Sequence, residues 1–297
     1  MDLRVLRYFL TVAQEESIVA AAEALHVTQP TLSRQLKELE EEVGAQLFVR
    51  GNKAQKLTLT DKGQLLRNRA EDLLALADKT RREMQEDESE ISGTVQIGCG
   101  ESDGMRLLAQ AAQRLHQAQP NVKIDLYSGN AENVKERLDK GLLDFGLFIQ
   151  PTNLQKYETL RLPVTDRWGL LARCDSPLAK RKNLTAQDLQ GVPLLVSSQE
   201  TVLHNLQQWF QLQPDRLSIV GTYNLLFNAA LFVEEGFGCA VCLDKLLVGV
   251  SDKLRFVPLS PQIEMGIDLA WRRYQPLSKA AAAFLKEARA LCELMSV

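Results

Sequence analysis

The sequence predicts an N-terminal all-α winged helix-turn-helix with a long linker helix, followed by a C-terminal α/β region of two lobes. Three features support this fold class. Capped apolar helical segments and one hairpin pattern fill the first sixty residues, a segment almost free of helix breakers runs on to about residue 87, and strand and helix patterns alternate after residue 93. With 297 residues, the chain can form two or three domains, each with its own core.

Composition and charge narrow the class of protein. The hydrophobic fraction of 45% and the charged fraction of 25% are those of an ordinary globular protein, and no uncharged apolar run reaches the roughly 18 residues of a membrane span. The opening MDLRVLRYFLTVAQEE lacks a signal-peptide core, and the five cysteines are scattered, so we expect a cytoplasmic protein. The net charge of -3 excludes a surface coated uniformly for nucleic acid, so any DNA site has to be local.

The first three helices are predicted from apolar spacing and cap residues. Residues 6–13 carry one apolar face, Ser17 has the type and place of an N-cap for a second helix, and Thr28 has those of an N-cap for a third. Pro30 falls in the first turn of this third helix, where its missing N–H costs no hydrogen bond. The third helix has an apolar stripe of Leu32, Leu36 and Leu39. Two short helices joined by a tight turn form a helix-turn-helix, whose second helix can enter a major groove.

The polar residues that lie mostly off this stripe are of types that contact DNA: Gln29, Thr31, Ser33, Arg34 and Lys37. Arginine can bridge guanine O6 and N7, and glutamine can bridge adenine N6 and N7. The acidic residues follow only at the other end of the helix, at positions 38 and 40–42. This order of charges favours DNA contact by the first two turns. For the helix taken alone, an amphipathic helix with a solvated polar face is the alternative.

The stretch QLFVRGNKAQKLTLTDKG predicts a small β-hairpin, or wing, around a polar loop. Arg50, Lys53 and Lys56 decorate it and are expected to face phosphates or the adjacent minor groove. Ordinary surface lysines are the alternative for Lys53 and Lys56. Thr60 is predicted to cap the helix that follows.

This first region resembles the N-terminal domain of the LysR-type transcriptional regulators. The family pattern has an alanine pair, a Gln-Pro helix start, a serine after it, Leu-Glu, a glycine, Leu-Phe-x-Arg and Leu-Thr-x-x-Gly. The matching residues are Ala21, Ala22, Gln29, Pro30, Ser33, Leu39, Glu40, Gly44, Leu47, Phe48, Arg50, Leu59, Thr60 and Gly63. The resemblance implies DNA contacts by Gln29, Pro30, Thr31, Ser33, Arg34 and Arg50, and we add Lys37 and Lys53 to the expected DNA-binding set.

A long helix is predicted from Asp61 to about Asp87, because no glycine or proline follows Gly63 in this stretch. Apolar or small residues alternate there at spacings of four and three, which is typical of a two-helix coiled coil: Leu66, Ala70, Leu73, Ala77, Thr80 and Met84. The alternative is a helix that lies on its own domain. The resemblance places the dimer contact here and implies a homodimer or homotetramer on two-fold related half-sites of double-stranded DNA. RNA polymerase is a further candidate partner.

The segment QEDESEISG, residues 85–93, predicts a hinge, and α/β patterns follow it. Strands are predicted at TVQIG, KIDLYSG, DFGLFI, WGLLARC, PLLVSS, LSIVGTY, CAVCL and IDLAWRR, with helices between them, one of which is TVLHNLQQWF. Two lobes of similar pattern indicate a fold like that of type 2 periplasmic binding proteins. The resemblance implies an effector-binding domain at 91–297, after a DNA-binding domain at 1–60 and a linker at 61–90, with residues 91–162 and 266–297 in lobe I and 163–265 in lobe II.

Ligands of open α/β sheets bind beyond the carboxyl ends of the strands, against helix N-termini. Four loops meet that description: GCGESDG, YSGNAEN, VSSQET and VGTYN. The expected effector-binding residues in them are Glu101, Ser102, Ser128, Asn130, Ser197, Ser198, Thr201, Thr222 and Asn224. Each of these residues taken alone could be a plain cap or turn former. Glu101 and Asp103 make the first loop acidic, which leaves a cationic or zwitterionic ligand open.

The sequence gives no sign of an enzyme, a cofactor or a metal site. The CxxC at 239–242 lies in a predicted strand, where positions three apart point to opposite faces, and the three histidines are isolated. Two other functions stay open: a solute-binding receptor for transport, which the lobes alone would permit, and a redox-sensing regulator that uses Cys99. The predicted function is a DNA-binding regulator of transcription controlled by a small molecule between its lobes.

Overall fold

A computed structural model describes residues 1–49, 56–84, 90–199, 217–246 and 251–295. The chain divides into two compact units, Met1–Gln85 and Glu86–Val297. This division falls within the acidic segment predicted as a hinge, of which residues 85–89 lie outside the described residues. None of the helices in the described ranges is long and apolar enough to cross a membrane.

The first unit has its helices and its hairpin in the predicted order. Its elements are α1 Leu3–Glu15, α2 Ile18–Ala24, α3 Gln29–Val43, β1 Phe48–Val49, β2 Thr58–Leu59 and α4 Asp61–Met84. The predicted caps are confirmed, since the Ser17 side chain accepts the N–H of Ala20 and the Thr28 side chain accepts the N–H of Thr31. Thr60 likewise accepts the N–H of Gly63, at 2.9 Å, in the first turn of α4.

The core of this unit joins α1, α2 and α3 to one face of α4. Leu6 and Phe9 are fully buried in it, and the ring centroids of Phe9 and Phe48 lie 5.3 Å apart. Gly63 lies so close to the hairpin that a Cβ atom there would be 2.1 Å from the carbonyl oxygen of Leu47. A glycine at this position therefore lets α4 pack directly against the base of the wing.

The burial of α4 corrects part of the predicted dimer seam. Ala70 is fully buried and Leu66 packs against the core of its own unit, so both belong to the intrachain face. Both residues lie in the part of α4 that packs against the core of its own unit, which includes Leu6, Phe9 and Phe48. Ala77 is half-buried. The large apolar side chains that α4 leaves exposed are Leu65, Leu73, Leu76 and Met84.

The second unit alternates strands and helices as predicted. Its elements are β3 Gly93–Cys99, α5 Met105–Ala118, β4 Val122–Ser128, α6 Ala131–Asp139, β5 Phe145–Ile149, β6 Tyr157–Arg173, β7 Leu194–Ser197, β8 Ile219–Tyr223, α7 Leu226–Glu234, β9 Cys239–Leu243, β10 Leu254–Pro258, β11 Glu264–Arg272 and α8 Lys279–Met295. The helix predicted at 201–210 lies outside the described residues, and β10 was not predicted.

The described strands follow one path of pairing, β4-β3-β5-β11-β6-β9-β7-β8, with β10 beside β6. The first three strands are parallel to one another, as are β8, β7 and β9. β6 and β11 run antiparallel through both halves of this path. One core packs α5 and α8 against the first half, and other cores fill the second half and line α7.

A bulge marks the place where β6 and β11 pass from one half to the other. Gly266 pairs with Thr165, but Ile267 pairs with Leu162, so two residues of β6 have no partner on β11. Pro163 is one of the two, and its missing N–H therefore removes no hydrogen bond from the ladder. The bulge lies where the sequence analysis divides lobe I from lobe II.

Candidate nucleic-acid interface and ligand cleft

The first two turns of α3 carry the candidate DNA-binding residues on an open surface. Gln29, Pro30, Thr31, Arg34 and Lys37 are exposed, and Ser33 is half-buried. The opposite face of the helix, formed by Leu32, Leu36 and Leu39, is buried in the core. The helix is thus held by one side and presents the other side to solvent.

The two cations of α3 are held only by weak surface ion pairs. Arg34 lies 3.7 Å from Glu38 and Lys37 lies 3.5 Å from Glu41, and their side chains are 70% and 73% exposed. Exposed pairs one helical turn apart contribute about 0.3–0.5 kcal/mol. A phosphate or a base edge can therefore replace these partners at little cost.

Glu40 has a different role from the acidic residues around it, and the sequence analysis did not recognise this role. Its Oε1 accepts the backbone N–H of Leu47 at 2.7 Å and that of Phe48 at 3.2 Å. These bonds attach the end of α3 to the first strand of the hairpin. Glu40 is half-buried, whereas Glu41 and Glu42 are exposed.

The hairpin base forms as predicted, with Phe48 opposite Leu59 and Val49 opposite Thr58. Arg50 and Lys53, the two predicted DNA contacts of the wing, lie outside the described residues. The Lys56 side chain is exposed, and its ammonium is paired with a carboxylate oxygen of Glu16 at 2.5 Å. This pairing raises the pKa of Lys56 above its usual value.

A cavity of about 440 Å³ lies between the lobes of the second unit, beyond the carboxyl ends of the parallel strands. Residues after β3, β4 and β5 line it from lobe I, and residues at the ends of β7, β8 and β9 line it from lobe II. Trp168 and Met265, on the two strands that cross between the lobes, also line it. Its walls are mainly apolar, as is usual for a small-molecule site.

The structure brings three of the nine predicted effector-binding residues to this cavity: Glu101, Ser197 and Asn224. Ser102 is buried beside it, where its hydroxyl accepts the N–H of Gly104 at 3.0 Å. Thr201 lies outside the described residues. The remaining four do not line the cavity: Ser128, Asn130, Ser198 and Thr222.

Local geometry explains these four corrections. Ser198 lies between the lining residues Ser197 and Gln199, and Thr222 directly precedes the lining residue Tyr223. Neighbouring side chains along an extended chain point to opposite sides, so Ser198 and Thr222 point away from the cavity. Ser128 ends the edge strand β4 and is exposed. The Asn130 side chain is committed to capping α6, where it accepts the N–H of Asn133 at 2.8 Å.

Several lining residues were not among the predicted ones. Gln150, Pro151 and Thr152 follow β5, and Tyr223 ends β8. The rule that ligands bind beyond the carboxyl ends of parallel strands also applies to β5, so the loop after DFGLFI could have been included. Trp168 and Met265 carried no such signal, because they lie inside strands that cross between the lobes.

One loop of lobe I makes three contacts with lobe II. The backbone N–H of Leu226, at the start of α7, donates to the carboxylate of Glu101. The ammonium of Lys245 lies 3.6 Å from the carboxylate of Asp103. Asp166 of β6 is fully buried near the Ser102 hydroxyl, and neither of its oxygens has a well-formed hydrogen bond.

Asp166 and Asp244 are buried carboxyl groups at this junction, and their environments differ. Arg167 donates to Asp244 from its backbone at 2.9 Å and from its side chain at 2.8 Å. Asp166 has no such partner. Its burial, together with the charge of Asp244, raises its pKa, although Ser102, Lys245 and the Asp103 backbone act in the opposite direction.

Cys99, Cys242 and Cys292 are buried, Cys239 is half-buried and Cys174 is exposed. Burial, and then the charge of Glu101, raise the pKa of Cys99, which disfavours the thiolate that a redox sensor needs. Cys242 is buried and Cys239 partly so, and burial raises the pKa of both thiols. Across the residues that the structure describes, no group of three or more His, Cys, Asp or Glu side chains could hold a metal ion.

Comparisons with known proteins cover both units. Residues 3–64 match the model of the bacterial regulatory helix-turn-helix proteins of the lysR family, and residues 88–293 match the LysR substrate binding domain. The transcriptional activator IlvY of Salmonella typhimurium is 28% identical over 248 residues, which is 82% of each chain. The Hca operon transcriptional activator HcaR of Escherichia coli is 29% identical over 282 residues, which is 92% of each chain.

Solved structures agree with this assignment of the fold. Full-length CbnR, solved in complex with its target DNA, has a TM-score of 0.78 at 18% identity, over 98% of this chain and all of that chain. Full-length BenM has a TM-score of 0.56 at 26% identity, over all of this chain and 98% of that chain.

Proposed function

The chain belongs to the LysR family of bacterial regulatory helix-turn-helix proteins and is a DNA-binding transcriptional regulator with a C-terminal effector-binding domain; from this premise we propose which residues read DNA and where the effector binds. The first two turns of α3 read the operator, and a small molecule in the interlobe cavity changes this binding. The relatives compared above are regulators of transcription, and this chain is likewise a regulator rather than an enzyme.

The observation that supports the proposed DNA contacts is the open polar face at the start of α3. Gln29 and Arg34 are the proposed base readers, because each can make two hydrogen bonds to one purine edge. The other proposed contacts are mostly to the sugar-phosphate backbone of the DNA, and they are made by Pro30, Thr31, Ser33, Lys37, Arg50 and Lys53. Phosphate contacts fix the register of the helix, whereas base contacts give specificity.

Replacing Arg34 tests this assignment on DNA taken from upstream of the gene. Arg34→Ala should weaken specific binding by about 1–3 kcal/mol and relax base preference at one position of each half-site. Arg4→Ala is the matched control, since the Arg4 side chain is 67% exposed on α1 and pairs with Asp2 at 3.5 Å. Fluorescence anisotropy with upstream and scrambled duplexes measures both. An equal loss on the two duplexes for Arg34→Ala would contradict its role as a base reader.

The proposed assembly is a homodimer formed by the exposed face of α4, with a homotetramer as its larger form. The row of Leu65, Leu73, Leu76 and Met84 supports this, because four large apolar side chains on one helix otherwise stay in water. A two-fold dimer would place two copies of α3 on two-fold related half-sites. RNA polymerase at the promoter is a further proposed partner, and we propose a cytoplasmic location because the proposed target is chromosomal DNA.

A further inference from the structure

Glu101 is the one charged side chain among the described residues that line the interlobe cavity. Neither Lys nor Arg is found in that described lining. The polar side chains that accompany Glu101 are uncharged: Gln150, Thr152, Ser197, Gln199, Tyr223 and Asn224. Among the described lining residues, a charged ligand therefore meets one charged group, the carboxylate of Glu101.

The position of Glu101 is fixed by the helix opposite it. The backbone N–H of Leu226 donates to its Oε2, and the N-cap residue of α7, Leu225, makes no side-chain cap of its own. The unpaired N–H groups and the dipole of a helix stabilise a negative charge at its N-terminus. One carboxylate oxygen of Glu101 is thus bonded to the start of α7, while the side chain still lines the cavity.

Several of the neutral polar groups are already bonded within the protein. The Tyr223 hydroxyl donates to the carbonyl of Val241 at 2.6 Å, and the Thr152 hydroxyl donates to the carbonyl of Ile149 at 2.6 Å. The amide nitrogen of Gln150 donates to Asp268, and its oxygen accepts the N–H of Thr152 at 3.2 Å. Because these donors and acceptors are already used within the protein, few of them can bind a ligand. Recognition of a ligand should therefore depend more strongly on Glu101.

The rest of the wall suits an apolar body. Phe148, Trp168, Leu226, Ile263 and Met265 line the cavity, and its volume of about 440 Å³ is typical of a small-molecule site. An anionic head group would meet the carboxylate of Glu101 with no cation among the described lining residues. A protonated amine would instead complete an ion pair in a partly desolvated place, where such a pair is stronger than in water.

Building on the proposed function of this cleft, we propose that its effector is an organic amine, with an apolar body in the cavity and a protonated nitrogen on Glu101. Hydrogen bonds to charged groups contribute about 1.5–3 kcal/mol, which corresponds to roughly tenfold to hundredfold in affinity. An amine should therefore bind more tightly by that factor than the alcohol of the same skeleton.

A panel of matched head groups on the full-length protein tests the proposal. The probes are phenylethyl, indolylethyl and n-hexyl skeletons, each as the primary amine, the alcohol and the carboxylate, measured by thermal shift and isothermal titration. We expect stabilisation by at least one amine, roughly tenfold to hundredfold weaker binding of its alcohol, and no binding of its carboxylate. Tighter binding of a carboxylate or an alcohol than of the matched amine, or no response to any amine, overturns the proposal.

Glu101→Gln assigns the preference to this side chain. Glutamine keeps the size and an oxygen that can accept the N–H of Leu226, but removes the charge, so the amine should bind no better than its alcohol. Glu132→Gln is the control, because Glu132 is an exposed carboxylate in the first turn of α6, next to Ala131 of the cavity lining. Equal losses in both variants would show that the amine does not bind at Glu101.

Gel shifts with upstream DNA separate this proposal from the proposed function. If the protein binds that DNA and the binding responds to a carboxylate, the amine class is wrong and the regulatory function stands. If the protein fails to bind DNA upstream of its own gene or of any neighbouring gene, the assignment of α3 as the reading helix fails, whichever head group the cavity prefers.

Discussion

Replacing Glu40 should loosen the wing while leaving the helix that carries Glu40 intact. Its Oε1 accepts two backbone N–H groups, from Leu47 at 2.7 Å and from Phe48 at 3.2 Å. Hydrogen bonds to a charged acceptor contribute about 1.5–3 kcal/mol each, and the partial exposure of Glu40 favours the lower figure. Glu40→Ala should therefore destabilise the junction of α3 and β1 by about 3 kcal/mol. Glu40→Gln keeps the oxygen and loses only the charge, so its expected cost is about 1 kcal/mol.

Hydrogen exchange followed by mass spectrometry is the suitable assay, because the two-unit chain need not unfold in a single step. Peptides that span residues 40–49 report the amides of Leu47 and Phe48. A local destabilisation of about 3 kcal/mol should speed their exchange by roughly a hundredfold when exchange follows local opening. Operator affinity should fall in parallel, since the wing is then no longer held beside α3.

Glu41→Ala is the control for this experiment. It makes the same side-chain change one residue along α3, where the carboxylate is exposed and pairs with Lys37 at 3.5 Å. Its effect on exchange at Leu47 and Phe48 should be small. The reasoning is refuted if Glu40→Ala and Glu41→Ala give the same exchange rates at these two amides.

Three further predictions concern other parts of the chain. Gly63→Ala places a methyl group 2.1 Å from the Leu47 carbonyl oxygen, so it should destabilise the DNA-binding unit by about 1–3 kcal/mol. The melting temperature of this unit should fall, and an unchanged or raised value contradicts the prediction. Burial raises the folded-state pKa of Asp166 above its usual value of 3.8, so the folded state holds this proton more tightly. The contribution of this group to stability is then fully present below pH 3.8 and is lost as the pH rises through the folded-state pKa. Asp166→Asn should remove that fall and raise the melting temperature at pH 7 relative to wild type, and a scan from pH 4 to pH 8 that parallels wild type disproves it. Leu73→Asp puts a charge on the exposed face of α4 and should dissociate the proposed dimer, and a variant that still sediments as a dimer moves the interface elsewhere.

The fold could be predicted because its signals are local. Ser17 and Thr28 are cap residues whose side chains accept hydrogen bonds from backbone N–H groups three residues further along. Pro30 lies in the first turn of α3, the part of a helix that tolerates a proline. The strands of the second unit are short apolar runs between turn residues. The long extent of β6 was missed because Pro163 interrupts its pattern, and only the pairing with β11 shows that this proline lies in a bulge.

The face of α4 shows where local signals become insufficient. The same helix carries apolar residues on two sides, and sequence spacing alone did not tell which side packs on its own unit. Ala70 and Leu66 fit the predicted seam by spacing, yet both pack against α1 and the rest of the core of their own unit. Leu73 and Met84 stay exposed. Which apolar side is covered depends on the tertiary partner, which no period in the sequence encodes.

The sequence predicted the position of the cavity, at the ends of the strands, better than it predicted the residues that line it. Ser197 and Asn224 lie where strand ends meet, but whether a side chain faces the cavity depends on strand alternation and on competing caps. Asn130 illustrates the competition, since the same side chain that could bind a ligand already caps α6. Trp168 could not be found in this way, because it reaches the cavity only through the crossing of β6 between the lobes.

The loop after β3 is the place where occupancy of the cavity can change how the lobes meet. Within three residues it accepts an N–H from the start of α7, covers the buried Asp166 and holds Lys245 of lobe II. A ligand shifts an equilibrium between two arrangements only by binding them with different affinities. If the effector binds at Glu101 as proposed, we expect a cation to leave the bond to Leu226 in place and so to favour the arrangement in which the lobes are joined. We expect an anion at the same place to weaken that bond and to favour their separation. On this proposal, the charge of the head group should set the direction of the structural response as well as the affinity.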